Sequence, residues 1–176
     1  MSSSTILDSK AVLKLVYHLA EAFIDSVPQG EKFSLVGLAN GGVSLAAVLE
    51  QIFADRYAVA VPVGIVDISF YRDDFSTRPV GKIKFPTDLP FNIDGNRLFL
   101  VDDVVSSGRT VRAALTEIFD QGRPEWVRFA ALIDRGNRIL PIQPDFVGKI
   151  IDIPKTKQVR VSLDLQDPKR NAVSVY

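Results

Sequence analysis

Two neighbouring carboxylates, Asp102 and Asp103, stand between an apolar run and a short Ser/Gly turn in the segment LFLVDDVVSSGRTVRAALT, residues 98–116. Leu98, Phe99, Leu100 and Val101 form the continuous apolar run of a parallel strand covered on both faces. The carboxylates are predicted to fall where that strand ends. Ser106, Ser107 and Gly108 make a turn, and Thr110, Val111, Ala113, Ala114, Leu115 and Ile118 then carry helical periodicity. A strand–loop–helix unit of this kind aims unpaired backbone N–H groups and the positive end of the helix dipole at the strand's carboxyl end, which suits a phosphate. The carboxylates beside it can accept hydrogen bonds from sugar hydroxyls or sit near a magnesium-bound phosphate. The turn holds no lysine and lacks the Gly-x-x-x-x-Gly-Lys-Ser/Thr spacing, so a P-loop nucleoside triphosphatase is excluded.

The rest of the composition narrows the chemistry by elimination. At 176 residues, with 47% hydrophobic and 24% charged residues, the chain reads as one soluble globular domain over 1–176. It contains no cysteine, which removes disulfides, thiolate metal sites and a cysteine nucleophile. The single histidine, His18, cannot build a zinc site or a Ser-His-Asp triad alone, and a structural role in a helix is expected for it. MSSSTILDSK shows no secretory signal, and no apolar stretch approaches the roughly 20 residues of a membrane span; a cytoplasmic protein is expected. A formal net charge of zero gives no global attraction to nucleic acid.

The elements that must position the carboxylates can be read along the chain. Val12, Leu15, Val16, Leu19 and Phe23 recur at helical spacing from Asp8 to Ser26, and VPQG ends that helix. Phe33–Leu38 reads as a buried strand, followed by the turn Asn40-Gly41-Gly42 and a second helix through VSLAAVLEQIF. This is another glycine turn at a helix start, again able to bind an anion. Ala58–Phe70 reads as strand, with a break at Pro62 or Gly64. Tyr71–Pro90 lacks periodicity and has the length of a functional loop, lid or hairpin. Further strands are expected at Trp126–Ile133, Phe146–Ile151 and Val159–Leu165, and Ala172–Tyr176 is expected at a sheet edge. Strands alternating with helices predict an α/β fold with a central, mainly parallel sheet flanked by helices, binding its ligand at the strands' carboxyl ends.

The ten residues VDDVVSSGRT resemble the phosphoribosyl-diphosphate (PRPP) motif of the type I phosphoribosyltransferases. Over almost the full length, DISFYRDDF at 67–75, FDQGRP at 119–124 and LIDRGNRILPIQPDFVGK at 132–149 resemble the PyrR branch of that family, pyrimidine-operon attenuators with uracil phosphoribosyltransferase activity. The resemblance implies transfer of ribose 5-phosphate from PRPP to uracil, giving UMP and pyrophosphate, with Mg2+ carried on PRPP. It implies the type I phosphoribosyltransferase fold with a flexible hood at about 71–90. It further implies UMP or UTP as effectors, a pyrimidine-operon mRNA hairpin as partner, no membrane, and a homo-oligomer (dimer or tetramer).

Carried onto this sequence, the family's roles fall as follows. Asp102 and Asp103 serve the ribose hydroxyls, and the loop Val104, Val105, Ser106, Ser107, Gly108, Arg109 and Thr110 holds the 5′-phosphate. Asn40 and Gly41 line the pyrophosphate site, while Tyr71, Arg72 and Asp73 belong to the hood, with Arg72 grouped among the catalytic residues. Base recognition is expected around Asp134, Arg135 and Ile150. Two departures stand out. The pyrophosphate turn, often of the type Lys-Thr-Arg-Gly in the family, is the uncharged Ala39-Asn40-Gly41-Gly42. The histidine expected after DRG is Asn137, leaving Arg135, Arg138, Lys149, Lys155, Lys157 and Arg160 as candidate RNA-phosphate contacts. A weakly active or inactive UMP/UTP-sensing regulator and a purine phosphoribosyltransferase are the alternatives.

Overall fold

In the computed structural model, residues 4–38, 41–68 and 87–176 are described. The first helix, α1 (Ser9–Ser26), starts where Asp8 accepts a hydrogen bond from the Ala11 N–H at 2.9 Å, an N-cap that satisfies one orphan donor of the first turn. Its buried stripe is Val12, Val16, Leu19, Ala20 and Phe23. His18 lies on the exposed side, so the structural role expected for it is not one of core packing. The second helix, α2 (Gly41–Tyr57), buries Leu45, Ala46, Leu49 and Phe53, and the third, α3 (Arg109–Gln121), buries Val111, Ala113, Ala114 and Ile118.

The strands are β1 (Ser4–Leu7), β2 (Ser34–Leu38), β3 (Val63–Val66), β4 (Arg97–Val105), β5 (Trp126–Asp134), β6 (Phe146–Ile150), β7 (Val159–Ser162) and β8 (Ala172–Val175). Five of them form a parallel sheet in the order β3-β2-β4-β5-β6. Successive residues of β4 point to opposite faces. Phe99 and Val101 join the core packed by α1 and α2, whereas Leu98 and Leu100 join the core packed by α3. The continuous apolar run therefore reflects a strand covered on both sides.

The remaining strands form a separate antiparallel sheet, β1-β8-β7. Two expectations are corrected here. The strand β8 is not at an edge but in the middle, because Ser4–Leu7, a segment with no readable strand signal, pairs along its other side. Among the described residues of the expected strand Ala58–Phe70, strand is confined to Val63–Val66, where pairing with β2 starts after Pro62 and ends at Leu38↔Val66; residues 69 and 70 lie outside the described residues. Of the expected hood, only residues 87–90 are among those described; Asp88 bridges to Ile65.

Phe99 is the centre of the larger core. It stacks on Phe23 at 4.0 Å between ring centroids, and Phe33, Trp126 and Phe146 meet its ring edge-on at 5.2, 5.1 and 5.8 Å. Such aromatic geometry adds to the area term of burial. Phe99→Ala is expected to lower folding stability by about 3–5 kcal/mol, read as a reduced urea midpoint with an unchanged slope.

Candidate active site

The carboxylates do not fall at the end of β4, as expected; the strand continues to Val105. Pairing with β5 runs from Arg97↔Trp126 to Val105↔Asp134, while pairing with β2 stops at Gly37↔Val101. Asp102 and Asp103 thus stand on a one-sided stretch of strand, held by β5 and released by β2. The chain leaves β2 through α2 towards β3, on one side, and leaves β4 through α3 towards β5, on the other. The strand order reverses between β2 and β4, the place where open α/β sheets bind ligands.

Glycines let the start of α2 close on this point. A Cβ on Gly37 would lie 2.9 Å from the Gly42 carbonyl oxygen, and one on Gly42 would strike the Val101 carbonyl. A Cβ on Gly41 would collide with the Asp103 carboxyl group. Asp103 therefore packs directly on the first turn of α2.

Both carboxyls are pushed above the ordinary carboxylate range. For Asp102 the first cause is burial, followed by the charge of Asp103; for Asp103 it is also burial, partly offset by hydrogen bonds that favour the ionised form. Asp103 Oδ1 accepts from the Val104 N–H at 2.9 Å, and Asp102 Oδ1, whose own rise is offset in the same way, accepts from the Asp103 N–H at 3.0 Å. Among the described residues no salt bridge reaches either group.

The turn after β4 leads into α3 through Gly108, whose φ of +88° places it in the left-handed region that favours glycine. No side chain caps this helix, in contrast to Asp8 on α1. Ser107 Oγ, just before the cap, accepts from the Arg109 N–H at 3.4 Å, and the N–H groups of Thr110 and Val111 are the first-turn donors left for a ligand, as an anion site requires. The turn itself is fixed from the other side: the Ser107 carbonyl accepts from the N–H groups of Ile139 and Leu140 at 3.0 and 3.1 Å. Arg138 Nη1 donates to the Ser106 carbonyl at 2.7 Å, and the Val105 carbonyl accepts from the Arg135 N–H at 3.1 Å.

The structure brings Gly41, Asp102, Asp103 and the stretch Val104–Thr110 to one end of the sheet. Asn40, Tyr71, Arg72 and Asp73 lie outside the described residues. The three residues expected at the base are adjacent in the backbone, since Asp134 pairs with Ile150 and Arg135 follows β5. Their side chains are differently engaged. Asp134 is buried in an ion pair with Arg138, Arg135 donates to the Lys157 and Pro154 carbonyls at 2.8 and 3.4 Å, and Ile150 is 72% exposed.

Sequence reasoning missed a cleft of about 490 Å³ beside Asp103, lined also by Thr156, Gln158, Val159, Arg160 and Tyr176. Its other walls come from β7, the loop before it and Tyr176 just after β8, where short strands leave little periodicity to read. The pairing of Gln158 with Tyr176, by two backbone hydrogen bonds of 3.0 and 3.2 Å, brings them together. Arg160 lies over the Tyr176 ring, 5.6 Å from its centroid. A larger, mostly apolar groove on the outer face of α1, near Tyr17 and Arg56, contains none of these groups.

No group of three or more metal-ligating side chains occurs among the described residues. The oxygen donors of Asp102 and Asp103 are of the hard kind that magnesium takes, so they would suit an ion brought in with a phosphorylated ligand. No helix among the described residues is long and apolar enough to cross a membrane.

The family model for the phosphoribosyl transferase domain matches residues 2–166. A bifunctional protein PyrR from Picosynechococcus sp. is 41% identical over 162 residues, covering 92% of this chain and 90% of the relative. One from a Geobacter species is 41% identical over 166 residues, with 92% of each covered. Among solved structures, a hypoxanthine-guanine phosphoribosyltransferase from Bacillus anthracis superposes with a TM-score of 0.74 at 22% identity, covering 98% of each chain. The hypoxanthine phosphoribosyltransferase of Trypanosoma cruzi gives 0.71 at 18% identity, covering 98% of this chain and 95% of that one. At such identities these two report on the fold alone.

The buried pair has a cost in stability whose sign follows from its titration. A carboxyl raised in the folded chain binds a proton that the unfolded chain releases, so this contribution is best below the unfolded carboxylate range. It is lost as pH rises through the folded value. Asp102→Asn removes the titration. The variant is expected to melt about 2–4 °C higher than the wild type at pH 8, the shift that about 1 kcal/mol gives a chain of this size. In a pH series of thermal melts, that gap should close towards about pH 4.

Proposed function

From the premise that this chain belongs to the phosphoribosyltransferase family, on its PyrR branch, we propose that it transfers ribose 5-phosphate from PRPP to uracil, releasing pyrophosphate and giving UMP. The observation that carries the reading is the meeting, at one switch point, of the helix start after Gly108, whose N-cap has no side chain, with the buried Asp102 and the half-buried Asp103. The first suits a 5′-phosphate and the second the ribose hydroxyls. Ser106 to Thr110 hold the phosphate through backbone N–H and hydroxyl groups. Departure of pyrophosphate from C1 builds positive charge on the ribose, and carboxylates at its hydroxyls stabilise that charge from fixed positions. No protein nucleophile is required. Magnesium bound with PRPP would neutralise the diphosphate; Asp102 and Asp103 would face it from the ribose side.

The pyrophosphate site is assigned to the turn Asn40-Gly41, which carries no cation of its own. Arg72 of the hood, or an arginine of another subunit in a homo-oligomer, supplies the missing charge in this reading. The base occupies the cleft beside Asp103, where Gln158 and the carbonyl and N–H groups of β7 offer donors and acceptors matching a pyrimidine edge. The PyrR relatives favour uracil, and regulation by UMP or UTP through a pyrimidine-operon mRNA hairpin follows the same branch. Exposed Lys149, Lys155, Lys157 and Arg160 are its candidate phosphate contacts.

Protein mixed with magnesium, PRPP and each nucleobase in turn is expected to form UMP from uracil. Asp102→Asn/Asp103→Asn should reduce the rate by about 100-fold or more. Tight UMP binding without turnover would replace the enzyme by a nucleotide sensor; IMP or GMP as the product would replace uracil by a purine. For RNA, filter binding of an operon hairpin at several salt concentrations should show affinity falling with salt and a preference over a scrambled hairpin. Equal affinity for both would remove the attenuator role.

A further inference from the structure

Arg138 has its side chain only 13% exposed, on the turn that follows β5. Its guanidinium spends its fork inside the protein. Nη2 donates to Asp134 Oδ2 at 2.7 Å, and Nη1 reaches Asp134 Oδ1 at 3.0 Å and the Gly136 carbonyl at 3.3 Å. Nη1 also donates to the Ser106 carbonyl at 2.7 Å, and Nε to the Ile142 carbonyl at 2.8 Å. Asp134 Oδ1 in turn accepts from the Gly136 N–H at 2.8 Å, which holds the turn that carries Arg138. That turn passes through two consecutive left-handed residues, Gly136 and Asn137, with φ of +65° and +62°; asparagine is among the few side chains that tolerate this conformation.

The consequence falls on the phosphate turn. With Arg138 on the Ser106 carbonyl and Ile139 and Leu140 on the Ser107 carbonyl, two successive peptide planes have their oxygens turned towards residues 138–142. In a trans peptide the N–H points opposite to the C=O. Fixing those two oxygens therefore fixes the N–H groups of Ser107 and Gly108 in the opposite direction, away from that segment. Gly108 is also packed on Leu140 and Ile142, each 3.4 Å from where its Cβ would stand.

We propose that Arg138 is a positioning residue of the phosphate turn: it sets the affinity for a 5′-phosphate without touching it, by holding the Ser106 carbonyl against the Asp134 ion pair. The proposal rests on the reading of residues 106–110 as the 5′-phosphate site. It also withdraws Arg138 from the residues free to meet RNA phosphates, since a guanidinium with this many internal acceptors has little left to offer.

The test compares UMP with uridine, which lacks the phosphate, by calorimetric titration of the full chain. In Arg138→Gln the ratio of the uridine Kd to the UMP Kd is expected to fall at least tenfold, with uridine binding itself little changed. Because Arg138→Gln strands a buried carboxylate and can fail to fold, Arg138→Lys is run beside it. Lysine keeps a cation next to Asp134 but cannot reproduce the fork, and a severalfold fall in the ratio is expected. A wild-type ratio in a folded variant, or an equal loss for both ligands, overturns the positioning role. A wild type that binds UMP no better than uridine overturns the phosphate-site reading, and this proposal with it.

Discussion

The close approach of α2 to the end of β4 is the constraint on which the rest depends. Three glycines, Gly37, Gly41 and Gly42, have no Cβ, and at each of them a Cβ would meet backbone or the Asp103 carboxyl group. Contact at that distance brings the Asp103 carboxyl group against the first turn of α2, while its other side borders the cleft. A single methyl group would wedge the two strand–helix units apart. The sheet supplies the complement: β4 keeps its β5 partner for four residues after losing β2, so the pair is held by a rigid strand yet opens towards the crevice.

This arrangement trades stability for chemistry. Burying two adjacent carboxylates without a paired cation disfavours their ionised forms. A fold tolerates such a liability where the surrounding structure over-determines it. Here the surroundings are the aromatic cluster around Phe99, three residues upstream on the same strand, and the hydrogen-bonded mesh between residues 105–107 and 135–142. Rigid packing below and a pinned turn above leave the carboxylates little freedom to relax outwards.

Much of this was legible in the sequence. The run Leu98–Val101 announced a doubly covered strand, the spacing of Val12, Val16 and Phe23 announced α1, and VDDVVSSGRT announced the phosphoribosyltransferase family. What was not legible depends on long-range pairing. Nothing local in Ser4–Leu7 signals a strand; it becomes one because β8 presents a free edge. The continuation of β4 through two aspartates, residues with poor strand propensity, is enforced by β5. Arg138 read as one more surface cation, because the acceptors that bury it come from Ser106 and Ile142 as well as from its own turn. The cleft beside Asp103 was missed for the same reason: its walls meet only after β7 and β8 have paired.

The sequence has one tryptophan, and its place in the sheet has an optical consequence. Trp126 opens β5, opposite Arg97, whereas the carboxylates face the far end of that strand pair. Its indole packs edge-on to Phe99 at 5.1 Å and lies under the Arg128 guanidinium at 4.4 Å. At about 3.3 Å per residue the ring is separated from the ligand end by most of the length of the strand. Tryptophan emission therefore reports the integrity of the aromatic core, with the Arg128 cation as a built-in neighbour sensitive to local loosening. A ligand settling at the other end would leave that emission unchanged, which makes this fluorophore a clean gauge of unfolding and a poor gauge of binding.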